Sequence, residues 1–264
     1  RAGAEAELLT AVCAAIVEEG GYRFAWVGQA LRDAGKTVRP VAHAGFEEGY
    51  LERVNLTWAS DIEQGRGPGG TAIRTGKPSV CQNVWADPAF APWRADAVER
   101  GYASVVALPL FVGDDIYGIL AIYAAEPDAF LPQEVELLTE LAGDLSFGIA
   151  ALQLRAEHQR AIEDLRETNQ RLTAILQAAP LAIVTVDRAG LVTSWNPAAE
   201  KIFGWREAEM IGHPLCASHD NQEQLDEILT RALRGEALTG LERRCQRKDG
   251  AAITVSLSTA TLVD

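Results

Sequence analysis

Apolar residues open the chain at helical spacing. Leu8, Leu9, Val12, Cys13 and Ile16 share one face and predict a helix over Glu5–Glu18. The period then shortens. YRFAWVGQAL at Tyr22–Leu31 predicts a strand, Asp33–Lys36 a turn and Thr37–Ala44 the return strand. Pro78–Val84 is a shorter strand, and the apolar runs Ser104–Val112 and Ile116–Ala124 flank Gly113-Asp114-Asp115 as a hairpin. Strands interrupted by short helical insertions predict an antiparallel sheet with helices packed on it. From Leu131 the helical period returns. Val135, Leu138, Leu141, Leu145, Ile149 and Leu152 make one stripe, and helical text runs to about Ala178 with no Gly or Pro after Gly148. Ile162, Leu165, Asn169, Leu172 and Leu176 alternate by three and four, as a coiled-coil seam does. The first stripe does not join this seam in phase, so a register break is expected near residue 160. Asn169 at a core position favours a parallel two-stranded register, and a homodimer is expected over an exposed single helix.

Pro180 ends that helix. Leu181–Asp187 and Leu191–Trp195 then read as strands around Arg188-Ala189-Gly190. Asn196-Pro197 starts a helix, with Asn as cap and Pro at the first helical position. Asn221–Arg234 reads as an amphipathic helix, and Leu238–Arg247 and Ala251–Val263 as strands around Lys248-Asp249-Gly250. The expected fold class is α+β: two domains, each a central antiparallel sheet flanked by helices, joined by a long helix.

Composition narrows the partners. With 24 Lys and Arg against 37 Asp and Glu, the net charge is −13, which disfavours nucleic acid and anionic lipid. No apolar run reaches the length of a membrane span, so no direct membrane contact is expected of this segment. The four cysteines, Cys13, Cys81, Cys216 and Cys245, form no CxxC pair and adjoin no His, so reduced thiols in a cytosolic protein are expected rather than disulfides or zinc. The chain opens on Arg1 rather than Met, which leads us to expect a piece of a longer protein.

Gly65, Gly67 and Gly70 match a G-x-G-x-x-G spacing, but the nucleotide-binding context fails. The preceding Ser60–Gln64 is polar, Asp87 sits in a loop, and Gly76-Lys77 is followed by Pro78 rather than Ser or Thr. A tight turn leading into a short helix at Gly70–Arg74, stopped at Thr75–Pro78, is the structural reading. GRGPGGTAIRTGKPSVCQNV, DPAFAPW at Asp87–Trp93, SVVALPLFVGDDIYGILAIYA and FLPQEVELL together resemble a GAF domain over about residues 1–155. AAPLAIVTVDRAGLVTSWNPAAEKIFGWREAEMIGHPL at Ala178–Leu215 and RRCQRKDGAAITVSLSTATLVD resemble a PAS domain over 178–264 that lacks its final strand, with a coiled-coil linker at 156–177. The missing strand is expected to leave an unpaired edge.

The GAF resemblance implies a small-molecule site between the sheet and a layer of short helices and loops, and dimerisation through terminal helices. Phe46, Tyr50, Trp58, Trp85, Phe90, Trp93 and Tyr102 cluster in those loops. They read either as a satellite core under long loops or as the wall of such a pocket, with Arg66 and Arg94 orienting an anion if a pocket is there. Phe46, Tyr50, Trp58, Trp85, Trp93 and Tyr102 are the candidate lining. No cofactor is evident. Cys81-Gln82 lacks the Cys-His that the bilin-binding GAF domains of phytochromes carry, the NKFDE signature of the cyclic-nucleotide type is absent, and His213–Ser218 lacks the flavin core motif despite Cys216. His43 and His213 are weighed as haem ligands and disfavoured. His158 and His219 lack a paired Ser or Cys, and two cysteines in the GAF region are too few for a methionine sulfoxide reductase. The expected function is a cytosolic sensor that binds a small effector and relays the change through a dimeric helix. Its output, cyclic-di-GMP turnover or a histidine kinase, is expected beyond Asp264. A ligand-free dimerisation module and a haem or flavin sensor are the alternatives.

Overall fold

A computed structural model describes residues 2–53, 56–215, 227–228, 230–232 and 234–260. The chain divides into two compact units, Arg1–Arg160 and Ala161–Asp264.

The first unit is built on five antiparallel strands in the order β2-β1-β5-β4-β3. These are β1 (Phe24–Ala30), β2 (Val38–Gly45), β3 (Ser79–Cys81), β4 (Ser104–Val112) and β5 (Asp115–Ala124). Strand alternation sorts their side chains into two cores. Ala25, Val27, Val106, Leu108, Leu120 and Ile122 face α1 (Ala2–Glu18) and the first part of α5 (Pro132–Ala178), meeting Leu9, Cys13, Leu138, Leu145 and Ile149. Phe24, Trp26, Val105, Ala107, Ile119, Ala121 and Tyr123 face the other way, under the connecting segments. Two prolines show why the sheet is limited where it is. Pro40 lies in β2, an edge strand, opposite Gly28. Pro109 lies in β4 beyond Ala107, the last residue of β4 paired with β3, so no ladder bond is lost on that side.

The connecting segments carry α2 (Tyr50–Arg53), α3 (Pro68–Thr75), α4 (Arg94–Glu99) and 3₁₀ turns at Glu63–Gly65 and Pro88–Trp93. Helix α3 starts at Pro68, two residues before the expected Gly70, because Pro68 suits the first helical position, and it ends on Gly76 in the left-handed region (φ 63°), within the expected stop at Thr75–Pro78.

In the second unit β6 (Val184–Val186) pairs with β7 (Val192–Trp195), and β8 (Leu238–Gln246) with β9 (Ala252–Thr259), as two antiparallel hairpins. Between them lie α6 (Pro197–Phe203) and α7 (Glu207–Met210). Val192, Trp195, Ala199 and Met210 form a small core. Asn196 caps α6 by accepting from Ala199 N at 3.0 Å, and it also accepts from Ile183 N at 2.9 Å. Its amide donates to the carbonyls of Leu176 and Leu181 at 3.1 and 2.9 Å. One cap residue thereby fastens β6, α6 and the end of α5 together. Much of the helix expected at Asn221–Arg234, and the end of the strand expected to Val263, lie outside the described residues.

Candidate functional site

The second face of the sheet lines a partly open cavity of about 40 Å³. Its floor is Trp26 of β1, Val105 and Ala107 of β4, and Ile119, Ala121 and Tyr123 of β5. Val38, Tyr50 and Leu56 close one side. The start of α3 at Gly67–Gly70 closes the top with Phe90 and Trp93.

The glycine stretch makes this closure possible. A Cβ at Gly67 would lie 2.3 Å from the Trp93 ring, and one at Gly65 would lie 1.7 Å from the Ala59 carbonyl oxygen. These glycines admit another group where a side chain would stand, and the neighbour they admit is protein. The DPAFAPW stretch does the complementary work. Asp87 caps the 3₁₀ turn by accepting from Ala89 N at 2.8 Å. Arg94 donates to the carbonyls of Val84 and Asp87 at 3.0 and 2.8 Å, which fixes Phe90 and Trp93 over the sheet.

Of the six candidate lining residues, the structure brings Tyr50 and Trp93 to the cavity. Tyr102 is fully buried beside it, stacked on Phe24 with centroids 5.6 Å apart and donating to the Phe46 carbonyl. Trp58 packs at the edge of the same core, donates to the Leu31 carbonyl at 3.0 Å and carries the Lys36 ammonium 5.0 Å from its ring. Phe46 and Trp85 are exposed, Phe46 beneath the Arg23 guanidinium. Arg66 donates to Ser60 O at 3.0 Å, and Arg94 is committed to its two carbonyls, so neither guanidinium lines the cavity.

Sequence reasoning missed Trp26, Phe90 as a lining residue, and Tyr123. It also missed Arg100, which is 2% exposed and donates to the carbonyls of Glu47, Glu48 and Asp96 at 2.9–3.0 Å. Arg100 thereby holds the segment that delivers Tyr50.

The cavity's titratable groups are neutral. Burial pushes the Tyr50 and Tyr123 phenols up, and their hydroxyls stand 3.4 Å apart. Burial, then the nearby Asp87 carboxylate, pushes the Cys81 thiol up to about 12, and burial does the same to Cys13. Such thiols are poor nucleophiles. His43, His158 and His213 are exposed, and Cys216 and His219 lie outside the described residues. Among the described residues no group of three His, Cys, Asp or Glu side chains is placed to hold a metal ion, and no helix is long and apolar enough to cross a membrane. The geometry offers non-covalent binding of a small molecule.

The seam residues Ile162, Leu165, Asn169, Leu172 and Leu176 lie on α5, with Leu165 and Leu172 well exposed. Phe147, Leu154 and Ile175 on the same helix are exposed as well.

Comparison with known proteins places these features. The GAF domain family matches residues 3–150, more than half of the chain, and the PAS fold matches residues 170–264. The chain is 33% identical over 97 residues to the signal transduction histidine-protein kinase AtoS of Escherichia coli, covering 37% of this chain and 16% of that protein. It is 32% identical over 65 residues to the sensor protein FixL of Bradyrhizobium diazoefficiens, covering 24% of this chain and 13% of that protein. The chain thus spans less than a fifth of each of these relatives. Among solved structures, the GAF domain of a phosphoenolpyruvate-protein phosphotransferase from Coxiella burnetii is similar, at 19% identity and a TM-score of 0.48, covering 58% of this chain and 86% of that one. The chain belongs to the GAF domain family, and its GAF domain is followed by a segment with the PAS fold.

Proposed function

We propose that this segment is a cytosolic sensor in which a small effector occupies the GAF cavity and α5 carries the response, in a dimer, toward an output domain. The observation that carries the reading is the length of α5. Its 47 residues begin in the unit that holds the cavity and extend into the second unit without a break. A ligand that prefers one packing of that helix shifts the equilibrium between packings. Exposed Phe147 and Leu154, and likewise Leu165 and Leu172, are 7 residues apart, so each pair keeps one face at the coiled-coil period and supports pairing with a second copy, while the 11-residue step between the pairs turns that face by about 50° near the register break expected at residue 160. The name of one relative, a histidine-protein kinase, favours a histidine kinase as output over cyclic-di-GMP turnover. The small size of the cavity favours the second reading, a dimerisation module without ligand.

The test is light scattering on wild type and on Leu165→Asp/Leu172→Asp. A dimer that becomes monomeric in the variant is expected, and a monomeric wild type at tens of micromolar refutes the dimeric relay. A thermal-shift screen of metabolites separates the two readings, because only the sensor is stabilised by an effector.

A further inference from the structure

The cavity carries a donor without an acceptor. Trp26 is 2% exposed, lines the cavity, and its indole N–H has no hydrogen-bond partner among the described residues. Its six-membered ring lies against Gly28, where a Cβ would meet Cζ3 at 2.5 Å, so the N–H edge is turned the other way, toward the Tyr123 hydroxyl, which feels it but stands outside hydrogen-bond geometry. Leaving such a group buried and unpaired is costly, and native proteins rarely do so without a ligand or water to complete it. The Tyr50 and Tyr123 hydroxyls stand 3.4 Å from one another in the same cavity, and the first turn of α3, whose N–H groups have no intrahelical acceptor, opens onto it at Gly67–Gly70. The other polar lining is Gln64 and Thr57, and the Thr57 hydroxyl is already used on the carbonyls of Gly35 and Lys36.

The set is rich in donors, and among the described residues no charged side chain lines it. An anion would lose its hydration against a wall with no cation, and the partial charge of one short helix does not balance a full negative charge there. The remaining lining, Val38, Leu56, Ile119 and Ala121 among it, suits an apolar body. The space of about 40 Å³ is small, so the part of a ligand seated beside Trp26 is limited to a few heavy atoms. Resting on the sensor reading above, we propose that the effector is a small uncharged molecule with an apolar body and an accepting carbonyl oxygen, such as a short-chain ketone, ester or amide, held by the Trp26 N–H.

The experiment is a ¹⁵N-resolved titration of the indole N–H signals of the whole chain with three near-isosteres: butanone, propionate and 2-methylbut-1-ene. The Trp26 signal is the one lost in Trp26→Phe. Nuclear Overhauser effects to Tyr123 assign it independently should that variant fail to fold. Butanone is expected to move this signal downfield to saturation, with propionate and the alkene at least about tenfold weaker, the worth of one hydrogen bond. Ala121→Leu, which fills the space beside Trp26, is expected to abolish the shift. A stronger response to propionate overturns the uncharged class. An equal response to the alkene overturns the role of the oxygen, and an unmoved signal with all three overturns the inference. A larger metabolite that stabilises the protein without moving this signal leaves the sensor reading intact, whereas no stabilising compound of any kind refutes both.

Discussion

Gly67→Ala tests whether the glycine stretch exists to let Trp93 close over the sheet. Gly67 has φ −69° and ψ −180°, which alanine adopts without strain, so the backbone gives no objection. The obstacle is steric, because the new methyl would lie 2.3 and 2.4 Å from Cζ3 and Cη2 of Trp93. The ring has little room to retreat. Trp93 is 8% exposed, stands 5.6 Å from the Phe90 ring, and belongs to a turn capped by Asp87 and followed by the clamped Arg94. Overpacking of this kind costs about 1–3 kcal/mol. The lower entropy of the unfolded alanine chain offsets about 0.4–1 kcal/mol of it. The net loss of roughly 1–2 kcal/mol lowers the melting temperature of a unit this size by about 2–8 °C. Trp93→Phe removes the atoms that clash, so in that background the Gly67→Ala penalty is expected to shrink by about 1 kcal/mol, a coupling that a double-mutant cycle measures. Gly65→Ala is the control. Its Cβ meets the Ala59 backbone carbonyl, so Trp93→Phe gives it no relief. Calorimetric melts of the six proteins decide the matter. A Gly67→Ala protein that melts with wild type, or an equal penalty in both backgrounds, refutes the packing account.

Two further outcomes follow from the buried polar groups. Asn196→Ala removes four hydrogen bonds at a site 6% exposed and leaves the amides of Ile183 and Ala199 unpaired, so a loss of about 2–4 kcal/mol confined to the second unit is expected, read by hydrogen exchange of β6 and α6. Cys13 and Cys81, lifted from 9.0 to about 12, keep protons in the folded state that the unfolded chain releases above pH 9. Their contribution is therefore whole below pH 9 and declines as pH rises through about 12. Urea unfolding between pH 8 and 11 should show stability falling with pH, with a shallower fall in Cys13→Val by up to about 1.4 kcal/mol per pH unit, and an unchanged slope would count against the burial of that thiol.

Many elements of both units were legible because each is a local pattern. The hairpin Ser104–Ala124 has two apolar runs around Gly113-Asp114, α5 has a sustained helical period, and Asn196-Pro197 announces its own helix. The cavity was legible only in part, because a period of two says that Phe24 and Trp26 share a face but not what that face meets. That depends on register. Phe24 stands opposite Tyr123 and Trp26 opposite Ala121, and those pairings bring an indole and a phenol from strands nearly a hundred residues apart to one floor. The loop aromatics were the visible signal, and of them Tyr50, Phe90 and Trp93 reach the cavity while Trp85 stays outside.

The arginines explain why loop residues were hard to place. A segment without regular structure that lies over a sheet leaves carbonyls in need of donors. Here Arg74 donates to Trp58 O and Gly65 O, Arg94 to Val84 O and Asp87 O, and Arg100 to Glu47 O and Glu48 O. In a sequence each reads as a solvated charge or an anion ligand. In the fold each guanidinium is a staple between segments, so the short helices and turns over the cavity are tied to one another by side-chain to backbone bonds. Such a wall can shift by exchanging a few hydrogen bonds while the sheet stays fixed, which is the property a partly covered cavity needs if an effector is to widen it on entry.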